Sequence, residues 1–275
     1  WLMGGTIYGS AFNDVWRSDD LGATWTPVTA SAGWTPRGYH STVILPDATI
    51  VLTGGGFGSE VWHSTDAGAT WTQISWPTAR SGHGSATLPD GSLVITGGYD
   101  SARRNNEVWR SVNQGATWTR KPLDVGWAAR EGHSLVALPD GSLVLMGGDD
   151  GSDPRRDVWR STDQGETWVQ QAANAPWAAR SGHTALLLPD GAIILIGGLG
   201  ATGSPKNDVW RSTDQGATWV QLTAAAEWSG RTHHASVVLS DGSIVLLGGL
   251  SADSPTHRND VWRSVDGGAT WVQQT

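Results

Sequence analysis

Cysteine is missing from the 275 residues, which excludes disulfides, thiolate metal sites and a cysteine nucleophile together. Lysine is nearly missing, since Lys121 and Lys206 are the only two among 18 basic residues. No run approaches the roughly eighteen consecutive apolar residues of a membrane helix, so no membrane partner is expected. Helical periodicity is absent throughout. Without cysteine, redox logic leaves the compartment open. A composition rich in Gly, Ser, Thr, Asp and Trp and poor in Lys points to an extracellular or cell-surface protein.

What is present is a repeat. The segment Asn207–Trp219, NDVWRSTDQGATW, has close copies beginning at Asp14, Glu60, Glu107, Asp157, Asp208 and Asp260. Each copy sets a second Trp nine residues after the first, as in Trp159/Trp168 and Trp210/Trp219, and the first-Trp positions are separated by 46, 47, 50, 51 and 52 residues. A unit of that length, with short apolar runs between turn signals, reads as four antiparallel strands, here lettered A to D. In the fifth unit they are expected at Gly182–Leu188, Ala192–Ile196, Asp208–Ser212 and Thr218–Leu222. A repeat array also explains how a chain that is 38% apolar with 37 glycines folds, because each unit buries its faces against its neighbours. Strands A and B are apolar at nearly every position, as in His133–Gly148, which predicts cover on both faces. Their turns are Pro-Asp-Gly at 89, 139 and 189, where Pro presets φ, Asp bonds back to the backbone and Gly accepts positive φ. Of 18 Trp residues, 17 fall in register: six on C, six on D and five (Trp34, Trp76, Trp127, Trp177, Trp228) between D and the next A. Packing between units is the plain reading of such a ladder. The D-to-A set, Trp127 and Trp177 above all, is the alternative candidate for stacking on a sugar ring.

The unit Arg-x-Gly-His, apolar strand, turn, apolar strand ending in Gly-Gly, variable loop and two spaced aromatics resembles a kelch repeat. The diglycines are Gly4/Gly5, Gly54/Gly55, Gly97/Gly98, Gly147/Gly148, Gly197/Gly198 and Gly248/Gly249. Overlaid on it, Ser-x-Asp-x-Gly-x-Thr-Trp is similar to the Asp-box of sialidases, with Asp20, Asp66, Asp163, Asp214 and Asp266 at the acid position and Asn113 standing in once. Both resemblances imply an all-β fold, a β-propeller, and the six Trp pairs imply six four-stranded antiparallel blades in one domain over 1–275. The blades are expected at about 1–30, 37–75, 80–122, 130–172, 180–223 and 231–275. The chain begins within a strand B, so the N-terminal blade is expected to lack strand A. A piece of a longer protein is the reading of that beginning, with self-association through the incomplete blade as a consequence to test.

Strand direction sorts the loops onto two faces. The A-to-B turns and the Asp-boxes share one face, where five Arg against twelve acids leave −7. That balance disfavours nucleic acid, whose phosphates need a cationic surface. The Asp-box acids are read as bracing their own hairpins through backbone N–H groups. No metal or other cofactor is expected, single carboxylates falling short of the six or more oxygens that Ca²⁺ takes. On the opposite face Arg37, Arg80, Arg130, Arg180 and Arg231 each open a strand A, three residues before His40, His83, His133, His183 and His234. Five guanidinium groups around a central opening are suited to carboxylate, sulfate or phosphate. Kelch domains that recognise acidic peptides imply the same, most closely at Arg80-Ser81-Gly82 and Arg180-Ser181-Gly182. The competing reading pairs each Arg with the acid heading strand C. The B-to-C loops differ from blade to blade and carry Arg104 and Arg156 among other cations, the variation through which a repetitive scaffold acquires specificity.

A glycan or an acidic peptide or protein is thus the expected partner of a non-catalytic binding module. An architectural role in a larger extracellular protein is the second reading. An enzyme is the third, since Asp-boxes accompany sialidases and kelch propellers accompany a copper radical oxidase. Sialidase chemistry needs a Tyr nucleophile with a nearby Glu, yet Tyr8, Tyr39 and Tyr99 have no such neighbour, and the oxidase needs a Cys.

Overall fold

The computed structural model describes all residues except 57, 76–77, 122–124, 254–255 and 275. It is a six-bladed, all-β propeller, with no helix among the described residues and therefore none long and apolar enough to cross a membrane. The fourth blade shows the plan: Ser134–Ala137, Leu143–Met146, Val158–Ser161 and Val169–Ala172 follow one another antiparallel from the inside outward. The second and third blades repeat it. The first blade has three strands, Leu2–Ile7, Ser10–Arg17 and Thr26–Thr29, which take the places of B, C and D.

Strand B is apolar throughout because both its faces are covered. Every residue of Leu143–Met146 has zero exposure, and the apolar clusters lie between blades. One joins Val94 and Val108 of the third blade to Trp127, Leu143 and Trp168, which belong to the fourth. Equivalent clusters join the fourth blade to the fifth and the fifth to the sixth. Strand C alternates as expected, with Val158 and Ser161 buried and Trp159 and Arg160 half-buried. The C-to-D turns dock on the preceding blade. A side chain at Gly165 would need φ of +93° and would set its Cβ 2.8 Å from Val108 Cγ1, so glycine is required twice over.

The fifth and sixth blades depart from the expected boundaries. Strand B runs on through the diglycine to Ile193–Gly200 and strand C starts early at Pro205–Ser212, with a bulge between Ile196 and Gly198. The segment LGATGSPKN, read as a loop from its Gly and Pro content, is mostly a hairpin whose paired ends are Leu199 and Pro205. Pro is tolerated there because it opens the strand. Strand A of these blades is also split, Arg180–Ser181 and Thr184–Leu187 both pairing with strand B.

Candidate functional site

The five strand-A arginines are between 0 and 2% exposed. Each guanidinium reaches outward into its own blade. Arg180 donates from Nη1 to Gly197 O at 2.8 Å and to Asp208 Oδ1 at 2.6 Å, from Nη2 to Asp208 Oδ2 at 2.8 Å, and from Nε to Ala178 O at 2.9 Å. Arg130 binds Gly147 O and Asp157, and Arg231 binds Gly248 O and Asp260, in the same bidentate way. Arg37 and Arg80 pair with Glu60 and Glu107 at 2.5 Å and with Gly54 O and Gly97 O. The acids are fixed in turn by the strand-C indoles two residues on, as Trp210 Nε1 donates to Asp208 Oδ2 at 2.8 Å. The ligand-binding reading of Arg37, Arg80, Arg130, Arg180 and Arg231 is thus corrected by geometry: these donors are spent on a planar fork that fits a carboxylate and a carbonyl at once.

Trp127 and Trp177 are likewise buried, at 2 and 0% exposure, with Trp34 and Trp228 alike at 1%. Trp177 meets Trp219 edge-on at 6.1 Å, stacks at a tilt on His183 at 6.3 Å and receives the Arg180 guanidinium over its ring at 6.0 Å. Trp127 makes the same contacts with Trp168, His133 and Arg130. The D-to-A connection crosses beneath the loops between two blades, so its Trp fills the interblade space and offers no face to a sugar. Trp76 lies outside the described residues. The histidines are buried with them. Burial holds His40 down to about 4 and His83, His183 and His234 to about 3, the nearby arginines lowering them further, and His133 follows the same way.

The opposite face braces itself. Asp163 accepts from Ser161 Oγ at 2.8 Å, Thr167 N at 2.9 Å and Thr167 Oγ1 at 2.5 Å, while Ser161 Oγ accepts from Gly165 N at 2.8 Å. Asp20, Asp66, Asp214 and Asp266 repeat this, and Asn113 keeps the bonds from Ser111 Oγ and Thr117 N. These bonds to the charged form hold Asp20 down to about 2. Each A-to-B turn Asp also pairs with the Arg of strand C, as Asp90 with Arg110 at 2.7 Å and Asp241 with Arg263 at 2.6 Å. Much of the acidity read from composition is therefore neutralised locally.

A family model described as the DUF6242 beta propeller domain matches residues 190–275. No curated protein matches the chain. The matched span holds strands B to D of the fifth blade and the whole of the sixth, and it excludes the loops that carry the remaining exposed cations.

Those loops decide what is left for a ligand. Arg104 is held between Glu131 at 2.9 Å and Asp149 at 3.1 Å, and Arg155 is held by Asp150, which also caps the backbone of Ser152 and Asp153. The Asp149–Asp153 run is accordingly a turn closed on Arg155, and its Asp150 sits at about 2. Arg104 is corrected as a ligand group for the same reason as the strand-A arginines. Arg103 has only Asp100 at 4.0 Å and a side chain 74% exposed. Arg156 is exposed, donates from Nε to Asn174 Oδ1 at 3.2 Å, and faces no carboxylate within ion-pair distance among the described residues. It lines a cavity of about 240 Å³ with Gln170 and Asn174.

The third residue of each Arg-x-Gly-His segment carries a feature that the motif alone did not disclose. Gly82 N donates to Tyr39 O, Gly132 N to Gly82 O, Gly182 N to Gly132 O and His233 N to Gly182 O, at 2.8–3.0 Å, so a chain of backbone bonds rings the central axis. All five residues are left-handed, with φ of +54 to +63°. Three being Gly was the available signal; Tyr39 and His233 hold the same strained conformation and touch ring to ring at 5.1 Å.

Proposed function

We propose that this propeller is a non-catalytic binding module of the cell exterior that takes an acidic peptide on its B-to-C loop face, with Arg156 as the principal contact and Arg103 beside it. The observation that carries the reading is the pairing on that face. Once Arg104 and Arg155 are matched to their acids, Arg156 is the cation left with a free fork at the mouth of a cavity. A guanidinium in that state gains most from a carboxylate. The burial of Trp127 and Trp177 removes the stacking surface that favoured a glycan, so a glycan is the secondary candidate.

Screening immobilised Asp- and Glu-rich peptides, with anionic glycans alongside, tests this directly. A bound acidic peptide should lose ten- to a hundredfold in affinity with Arg156→Ala, since a hydrogen bond to a charged group contributes about 1.5–3 kcal/mol. Added salt should weaken it as well. Affinity indifferent to the substitution sinks the assignment. Binding confined to glycans transfers it to the secondary candidate.

A further inference from the structure

Every inner strand from the second blade to the sixth makes the same set of contacts, and the first blade holds the receiving half of that set. Asp14 heads its strand C as Asp157 and Asp208 do theirs. It accepts from Trp16 Nε1 at 2.8 Å, and among the described residues it has no guanidinium, where the other five acids each have one. A methyl group placed on Gly55, Gly98, Gly148, Gly198 or Gly249 would fall 2.6–2.8 Å from the Cβ of that blade's histidine, whereas one on Gly5 would meet nothing within 4 Å. The chain of backbone bonds around the axis runs from Tyr39 to His233 and is open between them among the described residues.

The walls of this place are apolar. Val237 on the sixth blade is 43% exposed, although Val136 at the same register of the fourth is 6% exposed, and Ile44 on the second blade is 53% exposed. Leu2, on the strand between them, is 39% exposed. The strand Leu2–Ile7 pairs with Ser10–Arg17 on one side only. A cavity of about 760 Å³ continuous with the central opening lies here, lined by Gly5 and Asp14 of the first blade and Gly249 and Asp260 of the sixth.

We propose that this slot binds an extended strand supplied by another polypeptide, one that opens with Arg-x-Gly-His and continues with small and apolar residues. It adds antiparallel to Leu2–Ile7, the direction of every A-to-B pair. Its Arg meets Asp14, its third residue joins the backbone ring, and the residue after its His lies opposite Met3, the register in which Ser41 lies opposite Thr53. Main-chain bonds supply affinity and the Arg pocket supplies selectivity, the division of labour in strand addition to a sheet edge. A second copy of this chain is disfavoured as the donor, because each of its own five Arg-x-x-His segments is buried in its own blade. The site is distinct from the Arg156 face and calls for a basic rather than an acidic probe.

The test titrates the full 275-residue protein with a synthetic peptide of residues 178–191, AARSGHTALLLPDG, by calorimetry and thermal melting. The expected result is one peptide per chain and a raised Tm. Replacing the peptide's arginine by alanine, or Asp14→Asn in the protein, should each weaken binding at least tenfold, with little further loss when combined. Asn retains an acceptor for Trp16, and the peptide change leaves the protein untouched, so one arm survives if the other disturbs folding. Absence of binding overturns the proposal, as does binding indifferent to both changes. Sedimentation of the protein alone as a concentration-dependent dimer that the peptide does not dissociate also overturns it, in favour of a second copy.

Discussion

Replacing Arg180 by methionine tests whether the strand-A arginines are braces. The side chain has zero exposure, so methionine keeps most of the aliphatic volume while removing every donor. Asp208, itself largely buried, loses two charged bonds and keeps the one from Trp210, and two carbonyls, Gly197 O and Ala178 O, lose their donor. Breaking a buried pair from one side removes about 3–5 kcal/mol, chiefly from the charge left behind, out of a total of about 5–15 kcal/mol for a folded protein. Urea unfolding followed by tryptophan fluorescence should show a loss of that size. Arg156→Ala should stay within about 0.5 kcal/mol, as exposed substitutions do. Adding Asp208→Asn to Arg180→Met should restore much of the loss, because the stranded charge goes while the acceptor for Trp210 remains. A single Arg180→Met variant within about 1 kcal/mol of the parent refutes the brace.

Two further outcomes follow from the same geometry. Asp163→Ala removes the acceptor of three bonds and should lower stability by about 1–3 kcal/mol in the same unfolding assay, whereas Asp163→Asn should lower it less, as Asn113 keeps two of the equivalent bonds; equal losses would contradict the bracing role. The buried histidines are neutral when folded, with His40 at about 4 and His183 and His234 at about 3, against about 6.5 when unfolded. The unfolded chain therefore binds more protons as pH falls below about 6.5, and stability drops from there toward pH 4 by about 1.4 kcal/mol per pH unit for each histidine. Stability flat between pH 6.5 and 4.5 would contradict that burial, and His183→Leu should reduce the slope by about one proton.

The blades were legible because the features that build them are local or periodic. Gly-Gly before each variable loop, Pro-Asp-Gly in the inner turns and Trp at fixed spacing each specify a conformation within a few residues of themselves. The extended hairpin around Leu199 and Pro205 escaped because it depends on pairing across a bulge, which Gly and Pro content obscures. The arginines were harder. Arg180 finds its partners 17 and 28 residues away, and a motif does not state which way a side chain turns. The clue was in the register of charges, since every strand-A Arg has one acid heading strand C of its own blade. Asp14 has the acid without the Arg, and that imbalance marks the slot in the first blade.

The central claim is that recognition lies with the loop cations and bracing with the strand-A arginines. Its most direct test is one titration of an acidic peptide ligand against three proteins, the parent, an Arg103→Ala/Arg156→Ala variant and Arg180→Lys, at a temperature where all three are folded. The account predicts at least a tenfold loss for the loop variant and affinity within about twofold of the parent for Arg180→Lys, which retains the charge but not the fork. Unchanged affinity in the loop variant together with a tenfold loss in Arg180→Lys would contradict it.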